Sequence, residues 1–162
     1  MRAFISATFK SSGVLNTVGG VVLALMMLLT VLDVILRYVG KAITGTFELM
    51  SFGGALVAGF AIAQTSLDGA HVNVDMITHA LSKTGRRILT VLTKLLGLGV
   101  FLLLAWSLYL KGNDLYSTGE VSLTLHVPFY PVAYALSLSS LVECLVLVSD
   151  ILKAIFKGAE HE

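Results

Sequence analysis

The chain has 162 residues, 56% of them hydrophobic and only 13% charged, where soluble domains carry about a quarter charged residues. With a mean hydropathy of +0.89, so small a chain has too few polar groups to solvate its own surface. Eleven Lys and Arg against ten Asp and Glu, net +1, leave no basic footprint for nucleic acid, and a lone cysteine, Cys144, excludes a disulfide framework, a thiolate zinc site and a CxxC redox centre. What remains is an integral membrane protein forming one compact unit.

A helical crossing needs roughly 20 apolar residues. Four runs meet that length and predict an all-α membrane domain over 1–162, with spans at about 13–36, 47–67, 88–110 and 128–149. The runs are apolar on all sides, unlike the alternating strands of an outer-membrane barrel. The first, Ser11 to Leu32, follows Arg2 and Lys10 as a signal peptide would. Its apolar core outruns the roughly 7–15 residues of such a segment and no A-x-A site follows, so we read it as a retained helix. Asp33 and Arg37 close it in the favourable i,i+4 order for an ion pair. Glu48 opens the second span, where a carboxylate meets the positive end of the helix dipole. These three residues either mark span boundaries or form a bridge, Arg37 joining Asp33 to Glu48 and pinning the first hairpin.

The second span carries small residues at Gly54 and Ala58, and again at Ala55, Gly59 and Ala63. Stripes of this kind let another helix approach closely, so this span should pack against protein. The second loop follows. Asp75 stands at an N-cap position, and Met76, Ile77, Ala80 and Leu81 fall on one face ahead of Lys83, Arg86 and Arg87. This spacing predicts a short amphipathic helix lying in the interface and drawn to anionic lipid, the alternative being a solvated turn.

Lys94 interrupts the third span and Glu143 the fourth, at matching depth and with opposite sign. Charges inside a membrane are costly and call for partners, so the two are expected to pair across neighbouring helices unless Lys94 snorkels to the headgroups. The third loop, Lys111 to Val127, holds the turn formers Gly112-Asn113-Asp114 and Ser117-Thr118-Gly119-Glu120. Pro128 suits the first turn of the fourth helix, and Pro131 is still tolerable there.

Basic residues set the orientation. Seven lie on the side holding the N-terminus, second loop and C-terminus, and three on the other, so both termini should face the cytoplasm. Tyr38, Trp106, Tyr109, Tyr116, Phe129, Tyr130 and Tyr134 then gather at the far face, at headgroup level. The four histidines lie in loops or tails, and no Walker A, HExxH or GxSxG sequence occurs, so no catalytic residue, metal ligand or cofactor is expected.

Four motifs then occur in order: Asp33-Val34-x-x-Arg37-Tyr38, Gly45-Thr46-Phe47-Glu48-Leu49, His71-Val72-Asn73-Val74-Asp75, and Ser122-x-x-Leu125-x-Val127-Pro128 with Tyr134. On this four-helix frame the chain resembles the small membrane subunit (DctQ type) of tripartite ATP-independent periplasmic (TRAP) transporters, from about Leu15 to the end of the fourth span. The resemblance implies a bacterial inner-membrane subunit working with a large permease subunit and a soluble periplasmic binding protein. In that family the large subunit holds the substrate and sodium sites and moves, while the small one packs against its static scaffold. The implied activity is ion-gradient-driven uptake of a small organic acid, and no enzymatic role. Gly40-Lys41 and Tyr130 depart from the family pattern on the face that would meet partners. Two rivals from other classes are a stand-alone four-helix exporter and a four-helix membrane enzyme. The exporter would carry a lone acid in an early helix, and the enzyme a cleft with several Arg and Tyr. The cytoplasmic face offers Arg86 and Arg87 but no tyrosine.

Overall fold

The computed structural model describes residues 2–67 and 83–156. Four helices account for most of them: α1 (Arg2–Tyr38), α2 (Thr46–Leu67), α3 (Lys83–Thr118) and α4 (Tyr130–Phe156). Each contains a stretch long and apolar enough to cross a bilayer, and among the described residues there is no strand beyond one isolated bridge, Val121 to Pro128. The expected interfacial helix around Asp75 lies outside the described residues.

α4 is the centre of the bundle. It packs along α1, α2 and α3, and α2 packs in addition along α1. Val142 and Val146 of α4 form the core with Leu15 of α1 against them. Phe60, Ala105, Ala133 and Leu147 are also buried. The outward faces of α1 and α3 are left apolar and open, as Val21, Leu25 and Leu28 on one and Leu96, Leu103 and Trp106 on the other illustrate. Two short connections, 39–45 and 119–129, lie together at one end of the bundle, hereafter the loop end.

The helices outrun the predicted spans. α1 has 37 residues and α3 has 36, each about 55 Å at 1.5 Å per residue, well over the roughly 30 Å hydrocarbon thickness. Lys83, Arg86 and Arg87, expected in a loop, belong to the first turns of α3. The turn formers Gly112-Asn113-Asp114 belong to its last turns, and the true loop begins only at Gly119. Packing overrides turn propensity here. A Cβ on Gly112 would stand 2.8 Å from the Tyr134 ring, so glycine lets α4 approach, while Tyr134 Oη donates to Asn113 Oδ1 at 2.7 Å. Pro128 precedes α4 in the isolated bridge, and Pro131 occupies the helix's first turn, where no intrahelical N–H is needed.

Two serines of α4 fasten it to its neighbours. Ser137 Oγ donates to the Ala105 carbonyl of α3 at 2.8 Å, and Ser139 Oγ donates to the Gly59 carbonyl of α2. Gly112→Ala should therefore destabilise the bundle by about 1–3 kcal/mol, the usual overpacking range. Gly99→Ala, with nothing within 4 Å of the new Cβ, should be neutral or stabilising because alanine favours helix. Thermal midpoints of the two purified variants in one detergent check the contrast.

Candidate functional site

The loop end is organised by two carboxylates, each from a helix terminus. Asp33 sits one turn before the end of α1. Its Oδ2 receives Arg37 Nε at 2.7 Å, and its Oδ1 receives the backbone N–H of Ile43 at 2.9 Å. The predicted i,i+4 pair is thus present, and the same carboxylate folds the first loop back onto α1.

Glu48 does something different from the expected bridge. Its two oxygens accept the backbone N–H groups of Thr124 and Leu125, at 2.8 and 3.0 Å, so it holds the second connection and not Arg37. Arg37 is assigned to Asp33 alone among its described side-chain bonds. The physical reason lies in the donors: two adjacent amides in a tight loop present parallel N–H groups, a good match for the two lone-pair faces of one carboxylate.

The loop that Glu48 grips is internally bonded. Ser122 N–H donates to the Val127 carbonyl at 2.9 Å, His126 N–H to the Ser122 carbonyl at 3.2 Å, and Val127 N–H to the buried Ser122 Oγ at 3.2 Å. Leu125 turns inward onto Gly45, whose φ of +84° and contact with the Leu125 branch carbons both exclude a side chain there. Around the loop, Tyr116, Tyr130 and Tyr134 stack edgewise in series, with ring centroids 5.3 and 6.3 Å apart. Phe129 meets Phe52 of α2 at 5.3 Å. The predicted aromatic gathering is therefore a seam of ring contacts for these residues, although Tyr116 is itself largely exposed, as are Tyr38 and Trp106.

At the opposite end, where α2 ends and α3 begins (hereafter the linker end), the polar pairing also departs from expectation. Lys94 Nζ lies 2.8 Å from Asp150 Oδ2, so the expected Lys94–Glu143 pair is replaced by Lys94–Asp150. Glu143, 1% exposed, accepts a hydrogen bond from Ser66 Oγ of α2. Nearby, Ser12 Oγ of α1 donates to Gln64 Oε1 of α2 at 3.3 Å, tying those two helices. Lysine side chains on a helix lean toward its N-terminus, and α3 begins at the linker end. Asp150 lies two turns nearer that end than Glu143, and partial access to water makes it the less costly partner. Ser66, Gln64 and Asp150 carried no expectation of their own. Asp150 had a signal, since it shares a face with Glu143 at i,i+7, but Ser66 had none.

The small residues of α2 divide between faces. Gly59 packs on Leu136 of α4, and Gly54 has only the Met26 methyl nearby, at 3.9 Å. Ala55 is half-buried and Ala58 exposed, while Ala63 lies in α2 with its side chain outside the description. The same holds for the side chains of Lys83, Arg86 and Arg87. Among the described residues, no cluster of His, Cys, Asp and Glu could hold a metal ion.

A buried-polar, four-helix frame with two carboxylate-held loops is the setting for the comparison with known families. The family model described as "Tripartite ATP-independent periplasmic transporters, DctQ component" matches residues 26–157. The chain belongs to this family. The match takes in Asp33, Glu48, Lys94, Glu143 and Asp150, and leaves out the first part of α1. No curated protein and no solved structure matches the chain. DctQ proteins are transporter components, not enzymes, and in TRAP systems they work with a large permease and a periplasmic binding protein.

The Lys94–Asp150 pair is half shielded, with side chains 28% and 19% exposed. Truncating either residue to Ala should cost about 1–3 kcal/mol, below the range for a fully buried pair because water reaches the orphan. The double change to Met and Leu should cost less than the sum of the two single losses. A double-mutant cycle on detergent stability measures the coupling, and additive losses would mean the pair contributes nothing.

Proposed function

We propose that this DctQ protein is the small permease subunit of a bacterial inner-membrane TRAP transporter. In this reading both termini face the cytoplasm and the loop end faces the periplasm. The chain packs as a static scaffold against a large permease subunit, which moves and carries the solute and the driving ion. The solute is a small organic acid delivered by the periplasmic binding protein, and its uptake is driven by an ion gradient. The segment around Asp75, with Lys83, Arg86 and Arg87 after it, lies on anionic lipid at the cytoplasmic interface.

The observation that carries this reading is the division of labour among side chains. Polar groups within the bundle bond one helix to another: Ser137 to α3, Ser139 to α2, Ser66 to Glu143, and Lys94 to Asp150. The outer faces of α1 and α3 stay apolar over lengths beyond one bilayer crossing. A body cross-linked inside and apolar outside suits a scaffold that presents fixed flanks to lipid and to a membrane-embedded partner.

Reconstitution tests the reading. Liposomes holding this chain alone, under a sodium gradient and with loaded binding protein outside, should accumulate no organic acid. Adding the large subunit should switch uptake on. Uptake by the small chain alone would overturn the scaffold role. A separate check concerns orientation: a reporter fused after Glu162 should fluoresce as a cytoplasmic protein and stay inactive as a periplasmic phosphatase, as the seven-to-three basic asymmetry requires.

A further inference from the structure

The connection 119–129 is ordered by this chain's own bonds. Glu48 takes the amides of Thr124 and Leu125, Ser122 closes the loop on Val127 through backbone and hydroxyl, and Gly119 and Phe129 N–H groups return to the Leu115 and Glu120 carbonyls. Yet the residue at the tip of this fixed loop, Leu123, is 94% exposed. Phe47, the neighbour of the gripping Glu48, is 84% exposed. Two large apolar side chains are thus held outward at either side of one clamp.

We infer that the Glu48-clamped loop 119–129, with Leu123 and Phe47 as its apolar contacts, is the surface on which the soluble periplasmic binding protein docks. Three observations select this partner over lipid or the large subunit. Leu123 stands among exposed Glu120, Thr124 and His126, and an apolar centre in a polar rim is the anatomy of a reversible interface between water-soluble surfaces. The flanks of α1 and α3, by contrast, are dominated by large exposed apolar side chains and suit membrane-embedded neighbours. Finally, the loop's shape needs no partner to set it, so a protein that binds and leaves in each cycle meets a preorganised surface and loses little to ordering. Glu48 is a positioning residue here: it touches no partner and fixes the loop that does. The inference rests on the placement of the loop end in the periplasm under the proposed function.

The test uses the reconstituted complex of this chain with its large subunit. Uptake is measured against the concentration of loaded binding protein. Leu123→Asp should raise the half-saturating concentration about tenfold or more, the loss expected when a central apolar contact is removed, with the saturating rate held within about twofold. Glu48→Gln, which keeps one acceptor and turns an amide N–H₂ toward the other loop donor, should shift the same quantity in the same direction by less. Leu28→Ala on the α1 flank should leave it unchanged. An unshifted half-saturation in an intact Leu123→Asp complex would overturn the inference. So would loss of the large subunit on purification, which would assign the loop to the subunit seam. Quenching of a fluorophore on Leu123→Cys by lipid-borne quenchers, with unchanged half-saturation, would assign it to lipid. The wild-type complex and labelling of Leu123→Cys by an impermeant maleimide keep the two readings apart. No wild-type uptake, or labelling only from the cytoplasmic side, would overturn the functional reading and this inference with it. Success of both with no shift would overturn the inference alone.

Discussion

A bilayer core supplies no water to satisfy a polar atom, so the polar side chains inside the spans must be answered mainly from within. Most hydroxyls are answered locally. Thr17, Thr30, Thr65, Thr93, Ser140 and Ser149 each donate to the carbonyl four residues back. Such bonds satisfy the group without joining helices, although Thr30 Oγ1 also reaches Met50 Sδ of α2 at 3.6 Å. Among the described residues, four serines reach across helices: Ser12 to Gln64, Ser66 to Glu143, Ser137 to Ala105 and Ser139 to Gly59. The last two fix the place of α4. Ser137 and Ser139 lie about 200° apart around α4, so one meets α3 and the other α2. With Leu15 of α1 packed on the Val142–Val146 core, α4 becomes the element against which the other three are held.

The same constraint explains which features could be read before the structure. Long uncharged runs can only be helices in lipid, so the four spans followed from length and hydropathy alone. Helix ends did not. Gly112-Asn113-Asp114 has the composition of a turn, but the Gly112–Tyr134 approach and the Tyr134–Asn113 bond keep it helical. The i,i+4 pair Asp33–Arg37 was legible because both members sit on one helix. Pairs between helices were not, since their register depends on axial offset and rotation. Matching the backbone depths of Lys94 and Glu143 ignored the direction in which a lysine side chain leans, and that direction leads to Asp150. Glu48 and its loop are separated by 76 and 77 residues. No local pattern announces such a bond.

Asp33 and Glu48 solve one problem at two places. A loop at the membrane boundary carries unpaired amides, and neither helix nor sheet is there to take them. In both cases a carboxylate at a helix end accepts loop amides: one from Ile43, two from Thr124 and Leu125. The chemistry narrows the residue choice. An ionised carboxylate offers acceptors only, so both oxygens can face donors, whereas a carboxamide must turn one N–H₂ group toward another N–H. Glu48 also stands in the first turn of α2, where the helix's own unsatisfied N–H groups favour negative charge.

Rigidity at the loop end follows from where these anchors are rooted. Glu48 belongs to α2, which packs on both α1 and α4, and Leu125 closes onto Gly45 immediately before that helix. Phe129, at the far end of the same loop, rests on Phe52 one turn further along α2. The connection between α3 and α4 is therefore fastened at three points, two on α2 and one on Gly45 just before it. Because α2 is itself tied to α4 through Ser139 and Gly59, the loop inherits the stiffness of the bundle core. Under the proposed function that stiffness is what a scaffold subunit needs, since a partner that moves can be guided only by a neighbour that does not.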